Sequence, residues 1–281
     1  MKLNRLNDVF FKYLLGDVKR KTLTLSFINS ILNRTEDNVF TDLDFLDKEL
    51  TPIEQDGKVS VLDIRARMND GTQVNIEVQV CKDPDMARRS LYYWSKMYSG
   101  ELHEGEPYNK LMQAISINLM DFNAFPEYTS CHHSYHICND ETNDRLLDDL
   151  EMHFIELEKI RIGDIRNLKK SEQWIAYFSN QCSDEEREVL AMSEPAIKDA
   201  IKARCILHKT KNCAENMKYR KSPSGLHFHD GEYQGCTGRK LESPKKNVPI
   251  KNKKNSVKKQ EKSSNCAGGN RIRIIARRSA L

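Results

Sequence analysis

Apolar and polar positions alternate most cleanly between Val59 and Cys81. Two runs of strand-like composition, Val59 to Met68 and Gln73 to Cys81, flank Asn69-Asp70-Gly71, and an Asp-Gly pair between alternating segments predicts a β-hairpin. Period two puts Val61, Asp63 and Arg65 on one side of the first strand, and Asn75, Glu77 and Gln79 on one side of the second. Helical periodicity precedes the hairpin. Leu6 to Leu15 reads as a helix capped by Asn7 or Asp8, with Phe11, Leu14 and Leu15 inward and Gly16 as its stop, and Lys21 to Leu32 reads as a second. Phe45 to Pro52 predicts a short strand or extended loop.

After the hairpin, Lys82 to Pro84 breaks the pattern. Asp85 to Ser99 then reads as a helix with Met86, Leu91, Trp94, Met97 and Tyr98 apolar and Arg88, Arg89 and Lys96 on its polar side. Ala114 to Asp121, Tyr128 to Cys138 and Leu147 to Leu157 read as strands. In the last of these, His153, Ile155 and Leu157 share one side and Met152, Phe154 and Glu156 the other. Asp164 to Tyr177 and Asp184 to Met192 read as helices, and Ser193-Glu194-Pro195 opens another. Past about Ala203 the periodicity fades.

The hairpin also carries the candidate chemistry. Asp63 and Glu77 are carboxylates inside apolar strands, where desolvation is costly unless each is paired or holds a cation. A hard cation such as Mg²⁺ takes carboxylate and carbonyl oxygens and keeps waters, so Asp63, Glu77 and the Val78 carbonyl would suit it. Alternation alone leaves open a solvent-facing pair on the polar side of a two-faced sheet. The histidines of Tyr128 to Cys138 invite a zinc reading, but His132 and His136 fall on the opposite side from Cys131 and His133, so they do not converge as one tetrahedral set.

Charge divides the chain. Lys202 to Leu281 holds 21 Lys and Arg against 5 Asp and Glu, whereas the rest holds 24 against 36. The basic segment is rich in Lys, Asn, Ser, Gly and Pro with few large apolar residues, the composition of a disordered tail. No apolar run approaches membrane-spanning length and no hydrophobic stretch follows the charged start, so neither a membrane span nor a signal peptide is expected and the location is read as cytoplasmic. The eight cysteines show no CxxC spacing, and disulfides are not expected there.

Four segments carry a family resemblance: QDGKVSVLDIRARMNDGTQVNIEVQV at Gln55 to Val80, RRSLYYWSKMYSGEL at Arg88 to Leu102, GEPYNKLMQAISINLMDF at Gly105 to Phe122 and LEMHFIELEKI at Leu150 to Ile160. Together they resemble the PD-(D/E)XK nuclease family transposases, also described as recombination-promoting nucleases. The resemblance implies a restriction-endonuclease-like α/β core, a mixed central sheet flanked by helices, over residues 1–201. Residues 202–281 would form the disordered basic tail, either a DNA-binding arm or the product of a reading-frame shift near Lys202.

The resemblance further implies a Mg²⁺-dependent endodeoxyribonuclease, with Mn²⁺ as substitute, that promotes recombination. Its catalytic residues would be Asp63, Glu77 and Gln79, and its metal ligands Asp63, Glu77 and Val78. Gln79 stands where the wider PD-(D/E)XK pattern has lysine, although Glu-x-Gln is the usual form within the transposase-like family, and it brings no positive charge. Lys58, Lys82 and Arg88 are the nearest cations in sequence, while Lys58, Arg88, Arg89 and Lys96 are the candidate DNA contacts and Asp8 a candidate accessory acid. DNA is the expected partner and a homodimer a candidate assembly. The alternative is a catalytically silent DNA-binding or interaction protein that retains the fold.

Overall fold

The computed structural model describes residues 5–50, 60–220 and 273–277, with backbone alone for 210–220 and 273–277. Two helices lead, α1 (Asp8–Leu15) and α2 (Lys21–Ile31). Strands β1 (Leu43–Phe45), β2 (Glu49–Leu50), β3 (Ser60–Val61), β4 (Ile64–Met68) and β5 (Gln73–Gln79) follow, then α3 (Met86–Ser99). The second half holds β6 (Ala114–Met120), β7 (His132–Cys138), β8 (Leu150–Glu156), α4 (Lys170–Phe178), α5 (Asp184–Ser193), α6 (Pro195–Arg220) and β9 (Arg273–Arg277).

The hairpin forms as the sequence predicts, in the register Arg65 opposite Asn75 and Ile64 opposite Ile76. Gly71 makes the turn at φ +93°, which a residue without Cβ adopts freely. The first strand is shorter than its alternation suggests. Ser60–Val61 pairs with β2 in a separate two-stranded ladder, and the chain bends at Leu62–Asp63 before β4 begins.

The main sheet runs β1-β4-β5-β6-β8-β7-β9, with β5, β6 and β8 mutually parallel and the remaining pairs antiparallel. Parallel neighbours need a crossover, and α3 supplies it between β5 and β6. All seven residues of β6 are buried, because helices cover the sheet on both faces. One face packs Val74, Ile76, Val78, Ile115, Ile117, Leu119 and Ile155 against Phe10, Phe11 and Leu14 of α1, Phe27 of α2 and Trp174 and Phe178 of α4. The other packs Met120, Met152 and Phe154 with Met86 and Trp94 of α3. The mixed α/β fold that the sequence implies is therefore the fold observed.

Some boundaries differ for physical reasons. Helix α4 starts at Lys170 instead of near Asp164, because Ile165–Asn167 forms only a short 3-10 turn before Leu168 extends. Helix α6 continues to Arg220, well past the fading of apolar periodicity at Ala203. Its later residues include Ala, Lys, Glu, Met and Arg, good helix formers that sustain a helix without an inward stripe. Within the tail that composition reads as disordered, Arg273–Arg277 pairs as a strand with β7; the rest of the tail beyond Arg220 lies outside the described residues. Against expectation, Cys81 is disulfide-bonded, whereas Cys131, Cys138, Cys182 and Cys205 are free.

Candidate active site

The bend before β4 aims Asp63 at the neighbouring strand. Its Oδ2 accepts the Val78 N–H at 3.0 Å, while the Asp63 N–H donates to Glu77 Oε1 at 3.1 Å. Each carboxylate thus takes a backbone donor from the other's strand, which clamps the pair together at one end of the hairpin. Glu77 is 4% exposed, and the Asp63 side chain keeps 17% of its surface.

Burial is the largest influence on Glu77, and the adjacent Asp63 charge adds to it. Together they push the Glu77 carboxyl up to about 7, against weaker downward pulls from the Asp63 N–H, Arg89 and Asn75. Ionised together, the two carboxylates call for a cation.

Helix α1 brings one. Lys12 Nζ lies 3.0 Å from Asp63 Oδ1 and 2.6 Å from Asp8 Oδ1, one turn back on the same helix. Burial alone would lower this ammonium, but hydrogen bonds to Asp8 and Asp63 outweigh it and leave Lys12 raised. Sequence reasoning passed over Lys12 as an ordinary polar position. Asp8, a candidate accessory acid, holds this lysine, and the helix cap is Asn7, whose side chain accepts the Phe10 N–H.

The remaining candidates separate. Gln79 ends β5 on the same side as Glu77, and its carbonyl accepts the Asp121 N–H at 2.9 Å. Arg89 lies close enough to draw Glu77 downward and is itself held by Asp83 at 2.9 Å. Tyr93 of α3 is near the pair as well: burial raises its hydroxyl, Arg89 opposes this, and Glu77 and Asp63 push it further up. Arg88 points outward, 86% exposed and paired with Asp85 at 2.6 Å. Lys96 is corrected: it is buried, with its ammonium 5.1 Å from the Tyr92 ring centroid, so it does not offer a phosphate contact. Lys58 lies outside the described residues.

The donor set fits a hard divalent ion. Among the described residues no three His, Cys, Asp or Glu side chains converge on one point, so an ion at Asp63 and Glu77 would complete its shell with a backbone carbonyl and waters, as Mg²⁺ does. The histidines take other work. His133 Nε2 meets Glu156 Oε2 at 3.1 Å on one face of β7, and on the other face His132 Nε2 meets His153 Nδ1 at 2.8 Å.

A mixed sheet with parallel centre and helices on both faces, with an acidic pair at the mouth of a hairpin, is a nuclease-like architecture. The chain belongs to the PD-(D/E)XK nuclease family transposases, whose family profile matches residues 5–223. No curated protein and no solved structure matches it. The family carries a nuclease role tied to recombination. Among the described residues no helix is long and apolar enough to cross a membrane.

Proposed function

We propose that the protein is a cytoplasmic, Mg²⁺-dependent endonuclease that hydrolyses phosphodiester bonds in DNA and thereby promotes recombination. One observation carries this reading: a buried, mutually clamped carboxylate pair in which burial and the neighbouring Asp63 charge push Glu77 up to about 7. Asp63, Glu77 and the Val78 carbonyl would hold the ion. When bound, the ion supplies a water of lowered pKa and neutralises charge on the phosphate.

The protein's own groups do the rest. Glu77 must give up its proton before it can act as a ligand. Gln79, on the same side of β5, orients the attacking water or a phosphate oxygen through its amide. Arg89, held by Asp83, lies near Glu77 and favours its ionised form. The acidic body, residues 1–201, would carry the chemistry. The basic residues of 202–281 would add sequence-independent, salt-sensitive attraction to the phosphate backbone.

Nicking of supercoiled plasmid tests the reading. Wild type should nick with Mg²⁺ or Mn²⁺ and not with chelator, and Asp63→Ala should lose at least about a hundredfold in rate while still binding DNA. DNA binding without nicking under any metal condition would favour the silent binding protein. Full nicking by Asp63→Ala would remove the site from the hairpin.

A further inference from the structure

The third position of the acidic motif is Gln79, so the strand that carries Glu77 does not itself provide a cation for the scissile phosphate. Lys82 is exposed beyond the end of β5, and three other cations nearest in sequence or space are committed elsewhere or lie outside the described residues. Arg88 is paired with Asp85, Arg89 with Asp83, and Lys58 is not described. The ammonium in contact with Asp63 comes from a different element, 51 positions earlier in the chain.

We propose that Lys12 of α1 is the catalytic cation of this centre, donating to a non-bridging oxygen of the scissile phosphate, and that Asp8 is its positioning residue. The proposal rests on the nuclease reading. Helix α1 is fixed by Phe10, Phe11, Leu14 and Leu15, all fully buried against the sheet, so the Lys12 backbone has a set position at the edge of the hairpin. From there Nζ reaches Asp63 Oδ1, while Asp63 Oδ2 is occupied by the Val78 N–H.

A carboxylate oxygen has two lone pairs, so Oδ1 can accept the ammonium and still offer a site to an ion. The ammonium has three protons. Two meet Asp8 and Asp63, and one remains for a substrate oxygen. The Lys12 side chain keeps 30% of its surface, so a phosphate can approach it. Lys12 keeps its proton throughout, stabilising the negative charge that builds on the phosphate oxygens as water adds and the ester oxygen leaves.

An ammonium beside a carboxylate could instead be a place-holder that a metal ion displaces. The two roles give opposite results in the same variants. Plasmid nicking rates at saturating Mn²⁺, and Mn²⁺ affinity measured directly without DNA, should be compared for wild type, Lys12→Met, Lys12→Gln, Lys12→Arg and Asp8→Asn, with thermal midpoints as the folding control.

The proposal expects Lys12→Met and Lys12→Gln to lose about 10²–10³-fold in maximal rate. Their Mn²⁺ affinity should change only a few-fold. Lys12→Arg should restore part of the rate by returning a positive charge, and Asp8→Asn should fall between it and wild type. A folded neutral variant that nicks at the wild-type rate overturns the proposal. So does one that binds Mn²⁺ more tightly by an order of magnitude or more, the result for a place-holder. Wild type that never nicks is a separate result, seen without any variant, and overturns the nuclease reading along with the role of Lys12.

Discussion

Replacing Glu77 by Gln should make the metal-free protein more stable while abolishing its nicking activity. Burial and the Asp63 charge raise the Glu77 carboxyl from 4.5 to about 7, so the folded state holds this proton more tightly than the unfolded chain does. The stability that follows is fully present below about pH 4.5 and is lost as pH rises through about 7. With chelator present, wild type should therefore weaken across that window by about 3 kcal/mol, the free-energy equivalent of the displacement. Glu77→Gln keeps an oxygen for the Asp63 N–H but cannot ionise, and should show no such slope. Urea midpoints of both proteins from pH 4.5 to 8 in chelator measure this. Parallel profiles would mean that Glu77 is not held against its charge, and the case for a cation there would weaken with it.

A second large pH effect is expected at the other end of the sheet, with the opposite sign. His132, His153 and Glu151 form a chain, Nε2 to Nδ1 at 2.8 Å and Nε2 to Oε1 at 2.9 Å. With Glu151 ionised, neutral histidines satisfy both links only if each carries its proton on Nε2. Burial first, then the neighbouring imidazoles, depress His132 from 6.5 to about 3. Burial pushes Glu151 up, but the hydrogen bond and charge of His153 and the charges of His136 and Arg34 outweigh it and bring Glu151 down to about 2.

Both depressions act in one direction. Stability is full above pH 6.5, falls as His132 resists a proton that the unfolded chain accepts, and falls again below 4.5 through Glu151. On the order of 4 kcal/mol should be lost between pH 6.5 and 3 through His132. His132→Gln retains an N–H for His153 Nδ1 and cannot titrate, so denaturant midpoints should flatten over that range. An unchanged acid slope would contradict the assignment.

The hairpin was the most legible part of the sequence, because Gly71 permits the turn and alternation sets the side of its own strand on which Asp63 and Glu77 each lie. Their register then follows from a three-residue turn alone. Lys12 was not legible, since its partner lies 51 positions away and within α1 it looks like any polar residue between Phe11 and Leu14. Only the packing of α1 over the sheet brings the two together.

Lys96 failed for a related reason. Spacing assigned it to the solvent side of α3, but that helix covers a partly polar sheet face, where Asn75, Ser116 and Asn118 are buried and Ser90 donates to Asn118. An apolar stripe is a poor guide when the surface beneath is itself polar. The pairing of His132 with His153 was hidden because it depends on the β7–β8 register, in which Ser134 faces His153 and His132 faces Ile155. Each strand's own alternation was right, and the contact between them lay beyond it.

The most direct test of the account is a titration of Mn²⁺ into the DNA-free protein, followed by calorimetry at several pH values, for wild type and Asp63→Asn. The account predicts one saturable site in wild type, lost in the variant, whose affinity falls about tenfold per pH unit below about 7 as the Glu77 proton competes with the ion. Equal affinity in Asp63→Asn, or no saturable binding by wild type at any pH, would contradict the claim that this hairpin is a metal centre.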